Sequence, residues 1–156
     1  MRRLVRELAS TLEEVVGVEE ASGYISVVGQ RIGAWLDALY KKELNATALD
    51  QSQVAEVLVD IKRRICGNFE IIKIEPDKIV FNNTACPFEE LVIGCPSMCM
   101  MTSNVFGYIA AKNLGYAKVC LEETIANRDD HCLVTIYTKI TTESEKAFGR
   151  EYFGDI

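Results

Sequence analysis

The residues with the most chemistry to offer in this sequence are its cysteines. Three are close together in the middle of the chain, spaced Cys86-x8-Cys95-x3-Cys99, and two more follow at Cys120 and Cys132. Cys99 falls in the first turn of a predicted helix, where amide N–H groups and the helix dipole favour thiolate. Cys132 opens a predicted strand just after a turn, so it can join the first three at one point. Four thiolates suit Zn²⁺ or an iron–sulfur cluster, and the expected metal set is Cys86, Cys95, Cys99 and Cys132. The opposing reading leaves the same cysteines unligated, as small buried hydrophobes or free thiols, because no paired CxxC…CxxC is present. Cys120 lies mid-strand with Lys118 and Glu122, and Cys66, before Gly67 at a helix end, reads as structural.

Other reactive groups are few. His131 is the sole histidine. It neighbours Cys132 but points to the opposite strand face, which suits a surface role. A thiol–histidine dyad using Cys99 or Cys120 would have to recruit it. Glu89-Glu90 and Glu122-Glu123 read as solvated acidic pairs, although Glu122 or Glu123 could add an oxygen to a metal held by three cysteines. There is no phosphate loop, dinucleotide fingerprint or zinc-protease motif, and no catalytic set is identified.

The elements that must position these residues follow from periodicity. A first helix carries Val5, Leu8, Leu12 and Val15 on one face and stops at Gly17. A second runs from about Ala21 to Tyr40, with Ile25, Val28, Ile32, Trp35, Leu36 and Leu39 in a stripe and Gly29 and Gly33 four apart. Asp50 with Gln53 forms a capping-box pattern for a third helix bearing Val54, Leu58, Ile61 and Ile65, ended by Gly67. Strands are expected over 69–74 and 78–81, across a turn at Pro76-Asp77. The cysteine-bearing loop of 84–96 leads to a fourth helix over 97–113. Strands over 117–123 and 132–140 follow, and a polar tail from Thr141 is expected to fray.

Composition bounds the rest. The chain has 156 residues, 49% of them hydrophobic, enough for one domain with an ordinary core. A net charge of −6 argues against a nucleic-acid partner. The basic run Lys62-Arg63-Arg64 reads as a solvated helix face. No segment reaches the roughly 18 apolar residues of a membrane span, no signal peptide is evident, and a cytoplasmic location is expected. Six cysteines there point to ligands, redox groups or buried hydrophobes rather than disulfides. The expected architecture is a single α/β (α+β) domain over 1–156: an N-terminal helix over 1–16, a core over 17–140 and the tail over 141–156. N-terminal helices precede a small antiparallel sheet packed with helices.

Four segments together carry a resemblance: Gly29-Gln-Arg-Ile-Gly33, Asn83-Thr-Ala-Cys-Pro-Phe88, Pro96-Ser-Met-Cys-Met-Met-Thr-Ser-Asn-Val-Phe-Gly107 and Ile125-Ala-Asn-Arg-Asp-Asp-His-Cys132. Over about residues 15–140 the chain resembles the methanogen output domain family of signal-transduction proteins. It is more distantly similar to 4-vinyl reductase domains and to sensor domains of aromatic-responsive activators. The resemblance implies the α/β ligand-binding fold shared with NO-signalling and Golgi-transport proteins. It also implies that Cys86, Cys99 and Cys132 match family cysteine positions, and it suggests a zinc site beside a small-molecule pocket in a dimer. Thr124 stands where the 4-vinyl reductase pattern has a cysteine, a loss that Cys95 would make good.

The leading expectation is therefore a sensory or regulatory domain with a cysteine-ligated metal or cluster and a small apolar ligand pocket. It is expected to act as a homodimer through the N-terminal helix and to signal to an unknown protein partner. The alternatives are a protein-interaction module with at most structural zinc, and a thiol enzyme using Cys99. The pocket is expected between the second helix and the strands, beside Tyr24, Gly29, Gly33 and Trp35, with Ile71, Val134 and Ile136 as its wall.

Overall fold

The structure is a computed structural model that describes residues 1–154. Its elements run α1 (Arg2–Val16), α2 (Val18–Glu43), α3 (Gln51–Arg64), β1 (Phe69–Glu75), β2 (Lys78–Asn83), α4 (Ser97–Leu114), β3 (Tyr116–Glu123), β4 (Cys132–Tyr137), α5 (Thr142–Lys146) and β5 (Arg150–Phe153). A short 3-10 turn, Glu89–Val92, interrupts the loop before α4. The strands form one antiparallel sheet in the order β1-β2-β4-β3-β5.

Local chemistry explains the boundaries. Gly17 separates α1 from α2 with φ +87°, a left-handed value that glycine adopts freely. The Asp50–Gln53 capping box forms as expected: Asp50 Oδ1 accepts from the Gln53 amide at 2.8 Å and Gln53 Oε1 from the Asp50 amide at 3.0 Å. The third helix ends at Arg64, just short of Gly67, whose amide bonds back to the Lys62 carbonyl.

The core lies between the sheet and the helices α3 and α4. Leu58, Ile79, Phe81, Phe106, Ile109, Val134 and Ile136 are among its fully buried members. Helix α2 packs on α4, not on the sheet, and this corrects the expected pocket between α2 and the strands. Gly29 and Gly33 of α2 serve close packing. A β-carbon at Gly29 would stand 2.7 Å from Asn104 Cβ, and one at Gly33 would stand 3.0 Å from Tyr108 Cβ.

Small and polar residues therefore face inward on α2: Ser26, Gly29, Gly33 and Asp37 are buried. The apolar stripe expected to be core is left partly open. Val28 is 46% exposed, Trp35 is 65% exposed, and Ile32, Leu36 and Leu39 are half-buried. On α1, Leu8 and Val15 are likewise exposed.

The tail does not behave as the expected polar, frayed segment. α5 lies against the outer face of the sheet, where Lys118 donates to the Ser144 carbonyl at 2.7 Å. β5 pairs with β3, and the Tyr152 ring lies against Gly107 of α4, where a β-carbon would collide with it. The strand expected over 132–140 ends at Tyr137.

Candidate functional site

Cys86 on the loop after β2, Cys99 in the first turn of α4 and Cys132 at the start of β4 line one small pocket. Its volume is about 40 Å³, room for about three water molecules. Three different elements thus bring together three of the four expected cysteines. Cys132 Sγ accepts from the Asn83 amide group at 3.6 Å and from the Ile125 N–H at 3.5 Å.

Cys95 does not line that pocket. It is buried in an adjoining apolar cluster with Ala9, Ile25, Val92 and Met98, against which Cys86 and Cys99 also pack. Its thiol lies 3.5 Å from Glu13 Oε1 and 3.6 Å from Ser97 Oγ. Glu13 also accepts from the Ser97 N–H at 3.3 Å, so α1 sets a carboxylate on the N-terminal end of α4. Glu122 and Glu123 do not line the pocket, and Glu123 pairs with His131 at 3.0 Å. Cys120 is buried beneath Gly149 and Cys66 is exposed.

The missed residue is Lys62. It was expected on a solvated face, yet it is 6% exposed and lines the same pocket as the three thiols. Its ammonium donates to Thr102 Oγ1 at 2.6 Å and lies 5.3 Å from the ring centres of both Phe69 and Phe106. The signal was present in the sequence: Lys62 stands four residues after Leu58 and seven after Ala55, on the stripe that α3 turns to the core.

Burial governs the electrostatics. It holds the Lys62 pKa down at about 8, with the cysteines opposing the shift. Burial, reinforced by Cys132 and Cys86, pushes the Cys99 thiol up to about 12. Cys86 is raised for the same first reason. The helix start was expected to favour thiolate at Cys99, but desolvation outweighs it and the group stays a thiol.

Among the described residues no group of three or more His, Cys, Asp or Glu side chains could hold a metal ion. Burial raises the pKa of the Cys86 and Cys99 thiols, and a lysine amine shares their pocket. Cys95 supplies no fourth sulfur there.

Two apolar grooves adjoin the pocket. One, of about 420 Å³, runs between α2, α3 and α4 along Ile32, Trp35, Leu36, Leu39, Ile61 and Val105. The other, of about 450 Å³, runs between α1, α2 and α4 along Leu8, Leu12, Tyr24 and Val28. Ile32, Phe88 and Met101 belong to both. Lys62, Thr102 and Phe88 form the wall that the first groove shares with the thiol pocket. Volumes in this range suit small-molecule sites. No described helix is long and apolar enough to cross a membrane.

A helical layer on one face of a five-stranded antiparallel sheet defines a class of α+β domain. A subunit of that class from Naegleria fowleri, trafficking protein particle complex subunit 3 covalently bound to palmitic acid, superposes with a TM-score of 0.58 at 12% identity. The match covers 99% of this chain and 100% of that one. The likeness establishes the fold. Within that class the chain belongs to the family Methanogen output domain 1, whose model matches residues 4–137. No curated protein matches the sequence. The family is a signalling output domain, and neither similarity is to an enzyme.

Proposed function

We propose that this output domain responds to a chain-like apolar small molecule held in the groove between α2, α3 and α4, with one end at the Cys86–Cys99–Cys132 pocket. One observation carries the reading: the apolar stripe of α2 is partly withheld from the core and instead walls a groove of about 420 Å³ that shares Lys62, Phe88 and Thr102 with the thiol pocket. The palmitic acid of the trafficking subunit makes an acyl chain the first candidate. Occupancy would be passed on by α1 and α2, whose exposed Leu8, Val15 and Val28 suit a second copy of the chain or another protein.

Trp35 is the sole tryptophan and lines the groove, so its emission reports occupancy. Titration with alkyl acids and alcohols of graded length should give a saturable blue shift that Ile32→Gln weakens. A flat emission across the whole series sinks the reading.

The meeting of three thiols on one pocket favours a second reading, a zinc ion or iron–sulfur cluster at Cys86, Cys99 and Cys132. Metal analysis and a visible spectrum of anaerobically purified protein separate the two: stoichiometric zinc or iron favours the metal.

A further inference from the structure

A lysine buried this deeply ordinarily has an anionic partner, because an ammonium stripped of water is expensive to leave unpaired. Lys62 lacks one among the described residues. Its ammonium contacts one hydroxyl, Thr102 Oγ1, and two aromatic faces, Phe69 and Phe106. An ammonium has three N–H donors, and the bond to Thr102 uses one. Position adds to this. Lys62 and Thr102 line both the apolar groove and the thiol pocket, so the cation stands where the groove meets the pocket.

We propose that Lys62 anchors an anionic head group, so that the ligand is a chain-like carboxylic acid, its alkyl part along Ile32, Leu36 and Val105 and its carboxylate against the Lys62 ammonium. The inference rests on the groove reading above and names the chemical class of its ligand. A carboxylate placed there supplies the missing counter-charge in a site of low dielectric, where charge-assisted hydrogen bonds are strong. A neutral chain of the same length leaves the cation as unpaired as before, so the site discriminates by head group as well as by length. Thr102 takes the part of a positioning residue that aims the ammonium.

The full chain is titrated in parallel with dodecanoate and with 1-dodecanol, with Trp35 emission as the readout. The wild-type protein should bind dodecanoate at least about tenfold more tightly than the alcohol. Lys62→Met should abolish that preference while keeping alcohol binding, and Thr102→Val should reduce it. Equal affinity of the wild-type protein for the two compounds overturns the anchor and leaves the groove reading standing, as does a Lys62→Met protein that still prefers the acid. Absence of saturable binding by either compound overturns both. If Lys62→Met does not fold, the wild-type comparison and Thr102→Val decide the matter.

Discussion

A lysine ammonium moved from water to an apolar wall loses its hydration, and Lys62 recovers only part of it from Thr102 and two ring faces. Its pKa accordingly falls to about 8 from the ordinary 10.5. The sign of the effect on stability follows. Below pH 8 the lysine is protonated in both folded and unfolded chains, and the folded state carries the full desolvation cost. Between pH 8 and 10.5 the unfolded chain binds the extra proton, so the lysine's contribution to stability rises with pH. Lys62→Met, which keeps the length and removes the charge, should therefore raise stability at pH 7 by roughly 2 kcal/mol. That advantage should shrink across pH 8 to 10.5. Urea unfolding of both proteins over this range checks it, and a constant difference would show that the lysine stays charged and satisfied.

At the scale of elements, α2 is held by what it lacks. Gly29 and Gly33 let it approach α4 closely enough for Asn104 to donate to Ser26 Oγ at 3.0 Å. Gly33→Leu should lower stability by roughly 2–3 kcal/mol, because its first carbon would already stand 3.0 Å from Tyr108 Cβ and the rest of the side chain must displace that ring. A midpoint unchanged in urea would contradict that packing. The same helix shows what a sequence reveals and what it hides. Periodicity located α1 to α4 and the first four strands, and glycines just beyond α1, α3 and α4 (Gly17, Gly67 and Gly115) marked the ends of those helices. It misjudged which side of α2 is inside, because hydrophobicity weighs Trp35 above Gly33 whereas packing distance weighs them the other way. β5 escaped notice because Arg150–Phe153 is short and charged, and its only buried side chain is Tyr152. At the site, the three converging cysteines were legible from their places at a loop, a helix start and a strand start. Lys62 was concealed by the two arginines that follow it, and the departure of Cys95 depends on Glu13, a partner 82 residues away.

For the molecule as a whole, the two grooves meet at Ile32, Phe88 and Met101 and leave a stretch of apolar surface uncovered along α2. A ligand that fills such surface binds the folded chain and not the unfolded one, so it must stabilise the whole domain. At a free concentration about a hundredfold above its dissociation constant, dodecanoate should add roughly 2.7 kcal/mol. In a domain of this size that raises the melting temperature by roughly 5–10 °C. Scanning calorimetry with and without the acid measures the rise, and a melting temperature unmoved at saturation would mean that the fluorescence reports loose surface association.

The order of the sheet also bears on how the chain is made. β3 sits between β4 and β5, and β5 is its last partner along the sequence. While a ribosome is still adding residues beyond Tyr137, the nascent chain can pair β1, β2, β4 and β3 but leaves one edge of β3 open. Cys120 and Lys118 then lie bare on the outer face until the α5 segment arrives. An open strand edge is a template for pairing with another chain. Protection against misassembly during synthesis thus falls to a segment translated after the other four strands, and a slow passage through codons 138–153 would prolong the interval in which neighbouring nascent chains on one message can join through β3.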